Sequence, residues 1–426
     1  MNIILLLFLV LAICFLIRMP VSFAMLIASI SYFVMSGRNM EQVLSVLTGN
    51  MYSNYTMLAA PLFIFMANVM NEGEITDKLF RFCNGLFGRM RGGTAQVNVA
   101  ASLIFSGMTG SAIADASGIG LMEIEQMKKE GYDTEFSCAL TAASATVGPI
   151  FPPSIPMVIY AMISGASIGK LFMGGMIPGL ILSLLLGIYV AVISFKRKYP
   201  RGEQMAFRMF LRVTLEAFPA LFTVILLLGG IYLGVVTPTE AGALSSAYAI
   251  LISILIYHNL GPKKMWRIIK KSAANTATLA LLAGSSMLFS YIISLEQVPR
   301  VIAAFVMGLT ENKYIFLFIV NIVFLLLGCV LDVSTIQLVF VPMVLPLVNA
   351  FGIDLVHFGV VICLNMMIGL STPPFGMLLF IVSGLGKAKI SGVIREIIPM
   401  IAVMIALLFA ITYIPDIVMW IPNNLM

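Results

Sequence analysis

The chain has 426 residues, 60% of them hydrophobic and only 10% charged, with a net charge of +6. A soluble domain is nearer half apolar and a quarter charged, so this composition excludes one and points to an all-α polytopic membrane protein. Five scattered cysteines and two distant histidines show no metal or redox spacing, and the positive balance suits basic cytoplasmic loops rather than nucleic acid.

In chain order, apolar segments fall near 3–17, 20–35, 57–71, 96–127, 134–165, 171–195, 217–236, 240–258, 275–295, 298–309, 313–350, 354–386 and 392–414. A spanning helix needs about 20 apolar residues, so the length allows roughly a dozen membrane segments. The first segment has neither a basic start nor a small-residue cleavage site, and reads as a retained helix. Residues 74–91 and 203–212 mix basic and apolar side chains. Two readings stand for them: interfacial arms bracing a moving part, or solvated connectors.

Segment 96–127 is too long for one helix and too short for two spans with a loop. Its Gly-rich centre, Ser106 to Ser111, suits a re-entrant hairpin, and 313–350 has the same length with a polar centre from Gly328 to Thr335. Asp115-Ala116-Ser117 follows the first centre, and Asp332-Val333-Ser334 matches it in the second, with spacings to the later prolines that differ by four residues. Each hairpin is followed by a segment that two consecutive prolines interrupt, Pro152-Pro153 in 134–165 and Pro373-Pro374 in 354–386, 221 residues apart. The same offset carries Pro178 onto Pro399. A helix cannot run through such a pair, because it loses N–H donors and the rings clash with upstream carbonyls. In lipid the freed backbone groups survive only where protein or a cavity satisfies them. Interrupted segments at corresponding places in two halves mark a transporter's binding site. The chain therefore reads as a carrier with a first inverted repeat over 1–212 and a second over 213–426. Basic clusters at 196–201 and 263–271 anchor the topology, which puts 21 of the 25 Lys and Arg inside and both termini in the periplasm.

Breaks offer carbonyls and hydroxyls to a cation, and half-helix N-termini offer N–H groups to an anion. One candidate Na⁺ set is Ser106, Gly107, Ser111, Gly148, Pro149 and Pro152; its inverted partner is Gly328, Asp332, Thr335, Gly369, Thr372 and the Met377 carbonyl. The alternative is that these small residues only permit close helix packing. Ser111, Ser154, Asp332 and Asn365 are candidate substrate contacts. Asp332 either meets a cation or substrate donor, or caps the following helix; Asn365 either lines the cavity or makes a packed interhelical hydrogen bond. Asp115 reads as a cap or structural partner, and Glu240 as a helix N-terminal charge. No phosphate loop, nucleophile or metal set is evident, so an ion gradient or a partner must supply the energy.

The run Thr237-Pro238-Thr239-Glu240-Ala241-Gly242, the stretch Gly148 to Ser154, and Ser106-Gly107-x-x-Gly110-Ser111 together resemble the large membrane subunit of TRAP (tripartite ATP-independent periplasmic) transporters. The resemblance covers nearly the whole chain. It implies a bacterial inner-membrane, Na⁺-coupled importer of organic acids such as C4-dicarboxylates or sialic acid, and an elevator-type transport domain moving against a scaffold. It also implies two partners, a small four-helix membrane subunit and a periplasmic substrate-binding protein. The chain resembles the unfused form, in which the small subunit is a separate polypeptide. The rivals are a self-sufficient Na⁺- or H⁺-coupled carrier, a non-transporting membrane subunit and an intramembrane enzyme.

Overall fold

The computed structural model describes residues 3–17, 19–53, 58–72, 75–202 and 205–425, and they form an all-helical protein. The first half opens with α1 (Ile3–Leu16), α2 (Val21–Ser36), α3 (Glu41–Ser53), α4 (Ala59–Glu72) and the amphipathic α5 (Ile75–Phe87). A hairpin follows, with α6 (Gly93–Thr109) going in and α7 (Ala112–Ser117) and α8 (Ile119–Lys129) returning. Next come a broken helix, α9 (Thr134–Ala145) and α10 (Ile155–Ser164), and the long α11 (Ile168–Lys196).

The second half repeats this order. It runs α12 (Phe207–Tyr232), α13 (Pro238–Leu255), α14 (Pro262–Leu295) and α15 (Val298–Leu309), then a hairpin of α16 (Lys313–Val330) and α17 (Val333–Ala350). A second broken helix, α18 (Leu355–Leu370) and α19 (Met377–Gly386), leads to α20 (Ile390–Tyr413) and a last α21 (Asp416–Leu425). Adding 221 to the first-half boundaries carries α2 onto 242–257, over α13, and α5 onto 296–308, over α15. It likewise carries α9 and α10 onto 355–366 and 376–385, over α18 and α19. The same shift lays α3 and α4 end to end along α14, which is one continuous helix.

Seven helices among the described residues are long and apolar enough to cross a membrane: α11, α12, α13, α14, α16, α17 and α20. The broken helices supply shorter halves, as their prolines require. Of the stretch 203–212, residues 203 and 204 lie outside the described residues, and from Phe207 onward it belongs to α12, which runs into the apolar span. Sequence hydropathy also misses α3 and α21, and it starts α14 at 275, whereas the helix extends back through the basic cluster to Pro262. Polar residues end a hydropathy segment but not a helix, since Lys and Arg are good helix formers.

Helices of one half pack on those of the other. The α9 helix lies against α19 and α20, and α10 against α17 and α18. The hydroxyl of buried Tyr160 on α10 donates to the Leu355 carbonyl at 2.8 Å, across 195 residues of sequence. In the second half α16 and α18 meet backbone to backbone. A Cβ placed on Gly369 would fall 2.6 Å from the Gly328 Cα, so neither position accepts a side chain without moving a helix.

Each hairpin is also fastened to its broken helix by a buried asparagine. Asn98 of α6 donates to Thr141 Oγ1 at 2.8 Å and accepts from Ser144 at 2.6 Å, both on α9. Asn321 of α16 accepts twice from Asn365 of α18, at 2.8 Å each, and donates to Thr412 of α20 at 3.0 Å. At the end bearing the basic loops, Arg197 bridges Asp133 at 3.0 Å and Glu396 at 2.8 Å, which ties α11, α9 and α20.

Candidate functional site

A cavity of about 360 Å³ lies where the two hairpin tips approach the breaks, within the range of small-molecule sites. Gly110 and Ser111 come from the first tip, Asp332 and Ser334 from the second, Pro149 and Ile155 from the first break, and Met367 and Leu370 from the end of α18. Its remaining wall belongs to α4, with Asn68 and Asn71, and to α14, with Asn275 and Thr278.

Three short backbone turns create this space. Gly110 turns the first tip with φ +57°, and a Cβ there would lie 2.9 Å from the Pro153 carbonyl oxygen, so the tip can press against the break only as glycine. The Ile155 N–H donates to the Gly110 carbonyl at 3.4 Å and joins the two. Each returning helix then starts from a side-chain cap. Ser111 accepts the Ala114 N–H at 3.4 Å, Ser154 accepts the Met157 N–H at 3.2 Å, and Asp332 accepts the Thr335 N–H at 3.1 Å.

Asp332 is therefore both of the things the sequence left open: it caps α17 and it lines the cavity. Its other oxygen accepts the Thr335 hydroxyl, so Thr335 supports the carboxylate from within α17. Ser111 and Pro149 reach the same cavity. Ser154 is fully buried beneath it, and its hydroxyl donates to the Pro149 carbonyl, which fixes the turn rather than meeting a ligand. Asn365 is fully buried in the hydrogen bonds to Asn321, the packed alternative of its two readings.

Gly328, Gly369 and Thr372 are brought together at the contact of α16 with α18. The Gly369 carbonyl accepts the Thr372 N–H at 2.9 Å, and the Thr372 hydroxyl donates to Ile368 at 2.6 Å. The close-packing role of the two glycines is thus realised. Gly148 and Pro152 are buried in the turn between α9 and α10, and Met377 opens α19 with a part-exposed side chain. Ser106 and Gly107 sit near the end of α6, and their surroundings lie outside the described residues. Asp115 caps nothing: Ser111 holds that position, and the Asp115 carboxyl is buried inside the hairpin. Glu240 completes a capping box with Thr237, as its place at a helix N-terminus implies.

Sequence reading missed Asn68, Asn71, Asn275 and Thr278. Each pair is spaced i, i+3 and so shares a helix face. Carboxamides on one face of a membrane helix were the available signal, because such groups need a partner or a wet cavity. Asn68 already donates to Ser272 at 2.9 Å, which joins α4 to α14 behind the cavity.

No lysine, arginine or histidine lines the cavity among the described residues, and Asp332 is its one acidic group. Among the described residues no group of three His, Cys, Asp or Glu is placed to hold a metal. What the site offers is capped helix N-termini, carboxamides and hydroxyls. Such a site can hold an anion through N–H groups and dipoles and a cation through oxygens.

The whole-chain comparison settles which proteins share this plan. The model of the family "Tripartite ATP-independent periplasmic transporter, DctM component" matches residues 8–417. The chain belongs to this family. Similar relatives include the sialic acid TRAP transporter large permease protein SiaM of Vibrio cholerae, 35% identical with 95% of each chain covered. Another is the C4-dicarboxylate TRAP transporter large permease protein DctM of Pseudomonas aeruginosa, 33% identical over 87% of each. Among solved structures, the crystal structure of the Alcanivorax borkumensis YdaH transporter shares the fold with a TM-score of 0.66 at 13% identity, over 90% of this chain and 89% of that one. This DctM-family chain is a multi-pass transporter permease and not an enzyme, of a family that works with a small membrane subunit and a substrate-binding protein.

Proposed function

We propose that this permease is a secondary active, Na⁺-coupled importer of an organic acid in a bacterial inner membrane, with both termini periplasmic. It works with a small four-helix membrane subunit and receives its substrate from a periplasmic binding protein. The observation that carries this reading is the cavity between the hairpin tips, which joins capped helix N-termini for an anion to carbonyl and hydroxyl oxygens for a cation. The names of the relatives supply the substrate class, with sialic acid and C4-dicarboxylates as first candidates. In this proposal Na⁺ is a co-substrate bound at the two hairpin–break junctions, one near Ser111 and Pro149 and one near Gly328, Gly369 and Thr372.

The chain divides between α11 and α12, a few residues before 212/213, into two inverted repeats, and the hairpins and broken helices move together as an elevator against α4 and α14. The carboxamides of α4 and α14 then form the fixed wall of the cavity. Uptake in proteoliposomes tests this reading, using the chain with its small partner, candidate acids, and a Na⁺ gradient and binding protein present or absent. Uptake that needs both is the expected result. Uptake with Na⁺ but no binding protein would instead make the chain a self-sufficient carrier.

A further inference from the structure

Helix α17 continues through Pro342 and Pro346, which stand one turn apart. A proline has no N–H, so Pro342 leaves the Leu338 carbonyl without its intrahelical donor, and Pro346 does the same to the carbonyl of Pro342. In a membrane such a freed carbonyl needs a partner from a neighbouring helix. For Leu338 that partner is buried Ser286 of α14, which donates its hydroxyl to the carbonyl at 2.6 Å.

Ser286 is the first of three hydroxyls on one face of α14. Ser290 and Ser294 follow at i+4 and i+8, each about 6 Å further along the helix. All three line a second cavity, of about 530 Å³, opposite Pro342 and Pro346. Ser290 and Ser294 make no hydrogen bond among the described residues. A smaller space of about 180 Å³ lies between this cavity and the first, sharing Leu279 with the first and Met162 and Leu338 with the second. The three follow the seam between α14 on one side and α10 and α17 on the other, and the Ser286–Leu338 hydrogen bond crosses that seam. A helix with hydroxyls at one-turn intervals thus faces a helix whose prolines free acceptors at the same interval. A slip of one turn exchanges hydrogen-bond partners without leaving the Leu338 carbonyl bare. Packed helices move between such discrete registers rather than continuously.

We propose, on the elevator reading given above, that Ser286, Ser290 and Ser294 form a track along which the second hairpin steps. Ser286 holds the Leu338 carbonyl in the present state, and the carbonyl passes to Ser290 and then to Ser294 as α17 moves toward the C-terminal end of α14. The serines are positioning residues and touch no substrate.

Disulfide trapping reads the steps without any transport. Ser294 lies two turns, about 12 Å, beyond Ser286, and a disulfide needs Cα atoms within about 7 Å of each other. A Leu338→Cys/Ser294→Cys pair should nevertheless oxidise in the lipid-reconstituted chain, with the wild type and its five buried cysteines as the control. Adding Ser290→Ala should slow the oxidation about fivefold, the scale of one net hydrogen bond, and Ser290→Thr should restore it. Ser290→Ala alone should keep the wild-type melting temperature, because its hydroxyl is unbonded in the present state. In proteoliposomes it should lower the maximal uptake rate by a similar factor at an unchanged half-saturating concentration, again with rescue by Ser290→Thr. That comparison needs no cysteine and stands even if the paired variant does not fold. Absence of the disulfide in a folded pair overturns the stepping. Oxidation and uptake that ignore Ser290→Ala overturn the track and leave the elevator standing. Failure of every candidate acid to be taken up would count against the importer reading and leave the oxidation rates to decide the track.

Discussion

In the second hairpin α17 runs unbroken from its cap at Asp332 through Pro342 and Pro346, whereas the returning limb of the first is cut at Gly118 into α7 and α8. The local sequences invite an alignment of Asp115-Ala116-Ser117 with Asp332-Val333-Ser334, but the structure pairs the hairpins differently. Subtracting 221 from 332 gives 111, and Ser111 and Asp332 are the residues that cap the returning helices and line the cavity. The same shift relates Gly369 to Gly148; it also relates Thr335 to Ala114, whose N–H groups donate to the equivalent caps in the two hairpins. The repeats thus conserve backbone roles while their side chains diverge. One tip has a neutral cap with its carboxyl moved into the hairpin interior; the other has the carboxylate at the cap, facing the cavity.

The largest effects should come from moving charge between the tips. Asp332→Asn retains a good N-cap, so thermal stability should change by no more than about 0.5 kcal/mol. Uptake should nevertheless fall at least about tenfold, the scale expected when one hydrogen bond to a charged group is lost. Unchanged uptake would remove Asp332 from the site. Ser111→Asp also preserves a cap but puts a second carboxylate at the cavity, and anion uptake should be abolished while the protein stays folded.

Next in size is the packing of the second repeat. Gly369→Ala should cost about 1–3 kcal/mol of thermal stability, because the added methyl meets the Gly328 backbone and α16 must shift. A melting curve that matches the wild type would mean that α16 and α18 are not in contact there. Truncating Asn321 to Ala removes the side-chain acceptor of the Asn365 amide, leaving only the backbone carbonyl, and the donor to Thr412, and should cost about 1–3 kcal/mol. Asn98→Ala should cost a similar amount if the two fastenings are equivalent, and a clear difference between the two variants would break that equivalence. The smallest effect should be Ser111→Ala, a lost cap of about 1 kcal/mol measured as a lower melting temperature. Any larger loss of uptake than of stability would assign the hydroxyl to ligand binding.

Much of the plan was legible because prolines and glycines act through the backbone. Pro152-Pro153 and Pro373-Pro374 forbid continuous helices, and their common offset exposes the repeat without reference to packing. The site was less legible, because its chemistry depends on which side of a turn each group faces. Ser154 and Asn365 have the right polarity and the right neighbourhood, yet their hydrogen bonds turn inward to Pro149 and Asn321. Asn71 and Asn275 lie more than two hundred residues apart and come together only through helix packing, which hydropathy cannot report. Of the two readings of Asp115, cap or structural partner, the backbone register excludes the first by giving the cap to Ser111, although the short acidic motif matches its counterpart by spelling.

The hydrogen bond from Tyr160 to Leu355 bears on how the protein is made. The partner of Tyr160 is synthesised 195 residues later, which at ribosomal rates of roughly 5–20 residues per second is a wait of about ten to forty seconds. For most of that interval α10 lacks the surface of α17, and throughout it α9 and α10 lack those of α18 to α20 against which they finally pack. The N-terminal half must therefore be inserted before its own centre can be assembled, and that unfinished interval is when a membrane chaperone or quality-control protease has access to it.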